Sequence, residues 1–277
     1  MGVVLYDVDD AVAVVTLNRP DRGNAWTGRM EFEYRATLAE AEADEGVRVI
    51  VITGAGRQFC VGADSEALEQ MSGTGRYNSG VSQPLAQPGR GDDPDLAGRH
   101  NFLWGIGKPV IAAVNGAAAG LGLAIACWCD LRYAAAGAKL TVATTRLGLP
   151  VEFGLSWLLP RLVGVGRAAD LVLTSRVVLA EEAERIGLVN GVFPAEVVLE
   201  RSIAVARRMA EECAPSSLRA AKEQLYADLR GAMAAAETDS QRRLKEMMGS
   251  PDFREGVAAL VERRAPNFGA GAQSTST

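Results

Sequence analysis

Residues Lys108–Asp130 read KPVIAAVNGAAAGLGLAIACWCD. A strand-like apolar run, Pro109–Val114, passes into a turn of Gly and Ala and straight on into an apolar helix. Gly116, Gly120 and Gly122 allow tight bends and let another molecule come close to the backbone N–H groups. The first N–H groups of a helix have no partner within it and stand at its positive end. Such a turn is a receptor for an oxygen carrying negative charge. No charged side chain lies between Pro109 and Cys129, so an acid or base acting beside the turn must come from elsewhere. The run is long enough to raise a membrane span, but Asn115 interrupts it and strand–turn–helix accounts for its glycines.

The wider chain has 277 residues, 48% hydrophobic and 23% charged, which suits one large globular domain with or without an appendage. The net charge of −5 comes without a basic run, so nothing points to nucleic acid or an anionic membrane. Cys60, Cys127, Cys129 and Cys213 form no CxxC, and buried free thiols in a reduced cytoplasmic setting are expected. The N-terminal MGVVLYDVDD lacks the parts of a signal peptide. His100 is the only histidine, which rules out a multi-histidine metal site, and no metal is expected.

Val12–Leu17 and Val47–Thr53 read as buried strands, Arg29–Asp44 as a helix with Met30, Tyr34 and Leu38 on one stripe, and Leu131–Ala135 as another strand. Strand and helix alternate, so the fold class is α/β. Residues 1–190 are expected to form the core. A helical region is expected over 191–268, with Leu218, Ala221, Leu225 and Leu229 on one stripe and Ser216 or Ser217 as cap. Its amphipathic helices suggest packing on another subunit. The segment 71–99 is rich in Gly, Ser, Pro and Asp and reads either as a functional lid or as disordered; 269–277 reads as a disordered tail. His100 is expected on a short helix with Phe102 and Leu103, exposed or capping. Trp104, Trp128 and Trp157 are expected in the core.

Val51–Asp64, VITGAGRQFCVGAD, holds Gly54 and Gly56, but Phe59 stands where a dinucleotide fingerprint needs its third glycine. Taken together, Asn18-Arg19-Pro20, Asn24-Ala25, TGAGRQFCVGAD, KPVIAAVNGAAAG, Cys129-Asp130, LAEEAERIGLVN and FREGVAALVERRAPNF resemble the crotonase (enoyl-CoA hydratase/isomerase) superfamily. The resemblance covers nearly the whole chain apart from 71–99 and the tail.

The resemblance implies a crotonase-like spiral of ββα units, a C-terminal trimerisation region, homotrimers or hexamers, and an acyl-CoA thioester as substrate. Coenzyme A would enter as part of that substrate, with no other cofactor. Two backbone N–H groups would hold the thioester oxygen: by motif position, those of Ala63 and Leu121. Family members often have glycine where Leu121 stands. Arg22 and Ala25 match positions near the coenzyme groove, and Arg263 matches a basic position that reaches the coenzyme, often from a neighbouring subunit. The two glutamates that hydratases use are replaced by Ala124 and Thr144. Glu152 occupies a third acidic position, one that Δ3,Δ2-enoyl-CoA isomerases use. Taking a proton from C2 and returning it to C4 needs one base, whereas hydration must also orient water. The favoured expectation is therefore isomerisation with Glu152 as proton shuttle. A hydratase or other acyl-CoA chemistry using Glu152, and a non-catalytic acyl-CoA binder, stand as alternatives.

Overall fold

The computed structural model describes residues 2–74, 80–90, 93–231, 233–248 and 250–268. The expected tail, 269–277, and part of the 71–99 segment lie outside them.

A six-stranded sheet forms the frame. Its strands are β1 (Val4–Asp9), β2 (Val12–Leu17), β3 (Val49–Gly54), β4 (Val110–Val114), β6 (Leu131–Ala135) and β9 (Gly191–Phe193), in the order β1-β2-β3-β4-β6-β9. β1 runs antiparallel to β2 and the other pairs are parallel. A smaller sheet holds β5 (Ala118–Ala119), β7 (Lys139–Thr141) and β8 (Val178–Leu179) in the order β5-β7-β8.

Every residue of β3 and β4 is buried, which is why both read as unbroken apolar runs. Alternate side chains serve two cores. Ile50, Ile52, Val110, Ala112 and Val114 face the main core, where α1 (Gly28–Ala43) contributes Met30, Tyr34 and Leu38. Val49, Val51, Ile111 and Ala113 face the other way, against Ala206 and Ala210 of α7 (Val198–Glu212). The stripe expected on α1 is therefore the packed one, and the Thr27 hydroxyl caps it by accepting from Met30 N–H at 3.2 Å. The edge strand β1 went unforeseen. It exposes much of its length, so acidic residues alternate through it where a buried strand would be apolar.

Beyond Asn190 the chain first completes the sheet with β9 and covers it with α7, so the helical region begins inside the frame. Then come α8 (Pro215–Asp228), α9 (Met233–Met247) and α10 (Pro251–Glu262). Two details of α8 differ from expectation. Ala214, not a serine, occupies the N-cap, with Pro215 in the first turn. The stripe that faces inward carries Lys222 and Tyr226, while Leu225 is 61% and Leu229 41% exposed. The inward choice is set by polar chemistry. The Lys222 ammonium donates to the carbonyls of Leu103 and Lys108 at 2.9 Å each and pairs with Asp130 at 2.8 Å. Tyr226 donates to the same carboxylate at 2.7 Å. Hydropathy spacing cannot foresee a buried lysine.

Lys222→Met is expected to lower stability by about 2–3 kcal/mol in urea or thermal unfolding. The loss falls short of that for a wholly stranded buried charge because Asp130 keeps Tyr226 and the Val110 N–H.

Candidate active site

Three segments meet at the end of the sheet. Val61–Ser65 continues from β3, the Gly–Ala turn continues from β4 into α3 (Leu121–Trp128), and Asn24–Trp26 comes from the loop before α1. Trp26 donates to the Gly62 carbonyl at 2.7 Å and accepts from Asp64 N–H at 3.0 Å. In this parallel bridge both flanks of Ala63 bond to Trp26, so the N–H of Ala63 itself points to the opposite side. One step further, Cys60 donates to the Ala117 carbonyl at 3.1 Å and accepts from Ala119 N–H at 3.0 Å. That bridge ties the Ala63 segment to the start of α3.

Two glycines make the approach possible. A Cβ on Gly122 would lie 2.0 Å from the Cys60 carbonyl oxygen. Gly120, the N-cap of α3, has φ 52°, a left-handed turn that favours glycine. Leu121 is the first helical residue, so its N–H has no partner inside α3. Among the described residues neither the Ala63 nor the Leu121 N–H donates in a hydrogen bond. The structure thus brings together two segments distant in sequence and leaves an amide unsatisfied on each. Leucine at 121 is accommodated because the unusual backbone angle falls on Gly120 instead.

Behind Ala63, Asp64 is nearly buried and pairs with Arg19 at 2.8 Å and Arg22 at 3.2 Å. Burial pushes its pKa up, but these guanidiniums, with the Glu66 N–H, together outweigh it and hold the carboxyl below the usual range. Arg22 also pairs with Glu66 at 3.1 Å and keeps nearly half of its side chain in solvent. It borders an open groove of about 720 Å³ that Arg57 also lines. Ala25 is buried, and its carbonyl accepts from Arg19. Arg263 stands exposed at the end of α10.

Glu152 lies in the turn before α4 (Leu155–Val163), half-buried. Its carboxyl has no hydrogen-bond partner among the described residues, and burial raises its pKa although Arg99 pulls the other way. Among the described residues it is the carboxyl whose resolved shift is upward. The next residue, Phe153, has φ 56°, a left-handed conformation that is strained for a bulky side chain. Two contacts hold it: its carbonyl accepts from Trp128 Nε1 at 2.7 Å, and its ring meets His100 edge-on at 5.4 Å. Trp128 ends the helix that Leu121 begins. His100 in turn meets Trp26, whose backbone brackets Ala63, at 5.8 Å. The Glu152 turn is therefore connected to both unsatisfied amides, through α3 on one side and through His100 and Trp26 on the other.

The two positions without an acid are buried: Ala124 one turn into α3, and Thr144, whose hydroxyl has no partner among the described residues. His100 corrects its expectation. It is 2% exposed, so it is not a surface residue. It stands at the N-cap of the short helix Asn101–Trp104, but its side chain makes no capping bond. Arg35, donating to the carbonyls of Gly98 and Arg99 at 3.1 Å each, holds the preceding turn inward. The apolar FLW that follows His100 was the available signal. Of the three tryptophans expected in the core, Trp104 and Trp128 are buried and Trp157 partly so. Burial pushes the Cys60 thiol up to about 12 and Cys127 to about 11, so neither is a nucleophile near neutral pH.

Among the described residues no group of His, Cys, Asp and Glu could hold a metal ion, and no helix is long and apolar enough to cross a membrane. Residues 7–271 match the family model described as enoyl-CoA hydratase/isomerase. A probable enoyl-CoA hydratase of Mycobacterium tuberculosis is 38% identical over 263 residues, covering 93% of this chain and 89% of that one. The 1,2-epoxyphenylacetyl-CoA isomerase of Escherichia coli is 32% identical over 269 residues, covering 97% and 98%. Among solved structures, a probable enoyl-CoA hydratase/isomerase from Mycobacterium abscessus superposes with a TM-score of 0.84 at 31% identity, over 96% of this chain and 98% of that one.

Proposed function

The chain belongs to the enoyl-CoA hydratase/isomerase family of the crotonase superfamily, and on that premise we propose that it moves a double bond within an acyl-CoA thioester. The thioester oxygen accepts from the N–H groups of Ala63 and Leu121. Glu152 takes a proton from C2, negative charge builds on the thioester oxygen as the enolate forms, and Glu152 returns the proton to C4. The double bond passes from C3 to C2 with no net gain or loss of atoms. Fixed donors aimed at the developing charge stabilise the enolate without reorganising. Coenzyme A arrives with the substrate. Its phosphates lie along the groove beside Arg22 and Ala25, and Arg263 reaches them from a neighbouring copy of a trimer or hexamer. The exposed Leu244, Leu260 and Val261 support such an assembly.

The observation that carries this reading is the half-buried Glu152 carboxyl, without a hydrogen-bond partner among the described residues and with its pKa raised by burial, together with the absence of an acid at 124 and 144. One base suffices for a proton shuttle. Relatives named hydratases favour the second reading, water addition with Glu152 as the sole acid. Incubation with a 3-enoyl-CoA in heavy water separates the two. Isomerisation gives the 2-enoyl product with deuterium at C2 or C4. A 3-hydroxyacyl product formed from a 2-enoyl-CoA, without exchange from the 3-enoyl isomer, replaces the proposal with hydration.

The pH dependence has a definite sign. Glu152 must be ionised to accept a proton, and burial raises its pKa. The rate is expected to fall as pH drops, along an acid limb centred above the usual glutamate value of about 4.3. Initial rates across acidic buffers check this; a limb at or below that value sinks the assignment.

A further inference from the structure

His100 is buried against the site, yet neither ring nitrogen has a hydrogen-bond partner among the described residues. The surrounding cluster repeats the pattern. Trp26 packs 5.3 Å from Tyr34 and 5.8 Å from His100, and the Trp26 Nε1 and the Tyr34 hydroxyl are both buried without partners among the described residues. Buried polar atoms in folded proteins are almost always paired, and one left alone calls for a reason. Packing alone supplies none. Edge-on ring contacts with Trp26 and Phe153 would be made as well by phenylalanine, which leaves no nitrogen unsatisfied. Nor does the imidazole hold its own backbone in place, since Arg35 does that through the carbonyls of Gly98 and Arg99. The cluster sits between the segment bearing Ala63 and the turn bearing Glu152.

We propose that His100 is a specificity-determining residue that hydrogen-bonds an uncharged oxygen, a hydroxyl or a carbonyl, on the acyl group of the substrate, with Trp26 Nε1 as a second donor. This rests on the proposed acyl-CoA site and names the kind of acyl group it takes. An imidazole that stays neutral offers one donor and one acceptor, the pair that a hydroxyl uses. Burial and the nearby Arg35 and Arg99 push His100 down to about 3, so it remains neutral across the physiological range. A pocket that hydrogen-bonds an oxygen discriminates against the analogue lacking it, because its own polar atoms are then left unpaired.

The test is binding, not turnover. Calorimetry compares hexanoyl-CoA with hexanoyl-CoA carrying a hydroxyl or keto group on the fifth or sixth carbon. None has a double bond to move, so the outcome is independent of the isomerase assay. At least one oxygenated ligand is expected to bind about tenfold tighter than hexanoyl-CoA. In His100→Phe that preference should shrink to within about twofold with hexanoyl-CoA affinity kept; His100→Leu serves if the larger ring does not fold. The proposal is overturned if no oxygenated ligand binds tighter than hexanoyl-CoA to the unaltered protein. It is equally overturned if the preference survives in the variant.

Discussion

Glu152→Gln is expected to slow proton exchange at C2 by about 10²–10⁴-fold, the range a positioned general base contributes. Glutamine keeps the size and polarity of the side chain but cannot take the proton. Acyl-CoA affinity should stay nearly unchanged, because the proposed groove and donor pair do not depend on this carboxyl. A stability readout accompanies the rate. Burial raises the folded-state pKa of Glu152 above its unfolded value, so between the two values the folded form binds more proton. Stability therefore falls as pH rises through that window, and at neutral pH the ionised carboxyl is a mild burden on the fold. Glu152→Gln should unfold at a temperature no lower than the parent at neutral pH and lose the Glu152 contribution to the acid dependence. Undiminished exchange in the variant would assign the base elsewhere.

Gly122→Ala is expected to damage the site from its other side. The added methyl would sit 2.0 Å from the Cys60 carbonyl oxygen and 2.8 Å from its carbon, both backbone atoms that cannot rotate away. Either the Cys60–Asp64 segment or the start of α3 must move by about an ångström, and such misplacement costs about 10²-fold in rate. Because both proposed donors ride on the displaced segments, the loss should reach the 10²–10³ expected for removing an oxyanion donor. Overpacking of this kind also destabilises by about 1–3 kcal/mol. The measurement is kcat/KM together with urea unfolding, and the ratio of the two effects is informative. A variant that loses stability alone, with turnover intact, would show that the amides do not act on the substrate.

Much of the frame was legible before any coordinates. Val12–Leu17, Val47–Thr53 and Pro109–Val114 announce buried strands because residues packed on both faces admit little polar alternation; that they pair in parallel is seen only in the sheet. The Gly–Ala turn announces a helix start with free amides, since only glycine permits the approach at Gly122. Glu152 stood out only through the resemblance, which places an acid there and at 124 and 144, where this chain has Ala and Thr; by itself it reads equally well as an acid in the first turn of a helix. β1 was missed because an edge strand tolerates acids, and the inward face of α8 was misread because Lys222 is buried by its ion pair rather than by hydropathy.

What the sequence determined by itself was local: strands, turns, helix faces and the inventory of acids, each set by side-chain periodicity and backbone sterics over a few residues. What only the tertiary structure decided was convergence. How closely the Ala63 segment approaches the start of α3, whether Glu152 is desolvated, and whether His100 finds a partner among the described residues all depend on contacts between residues tens of positions apart. A hydrogen bond or a loss of solvent is a property of two surfaces brought together, and no stretch of chain carries it alone.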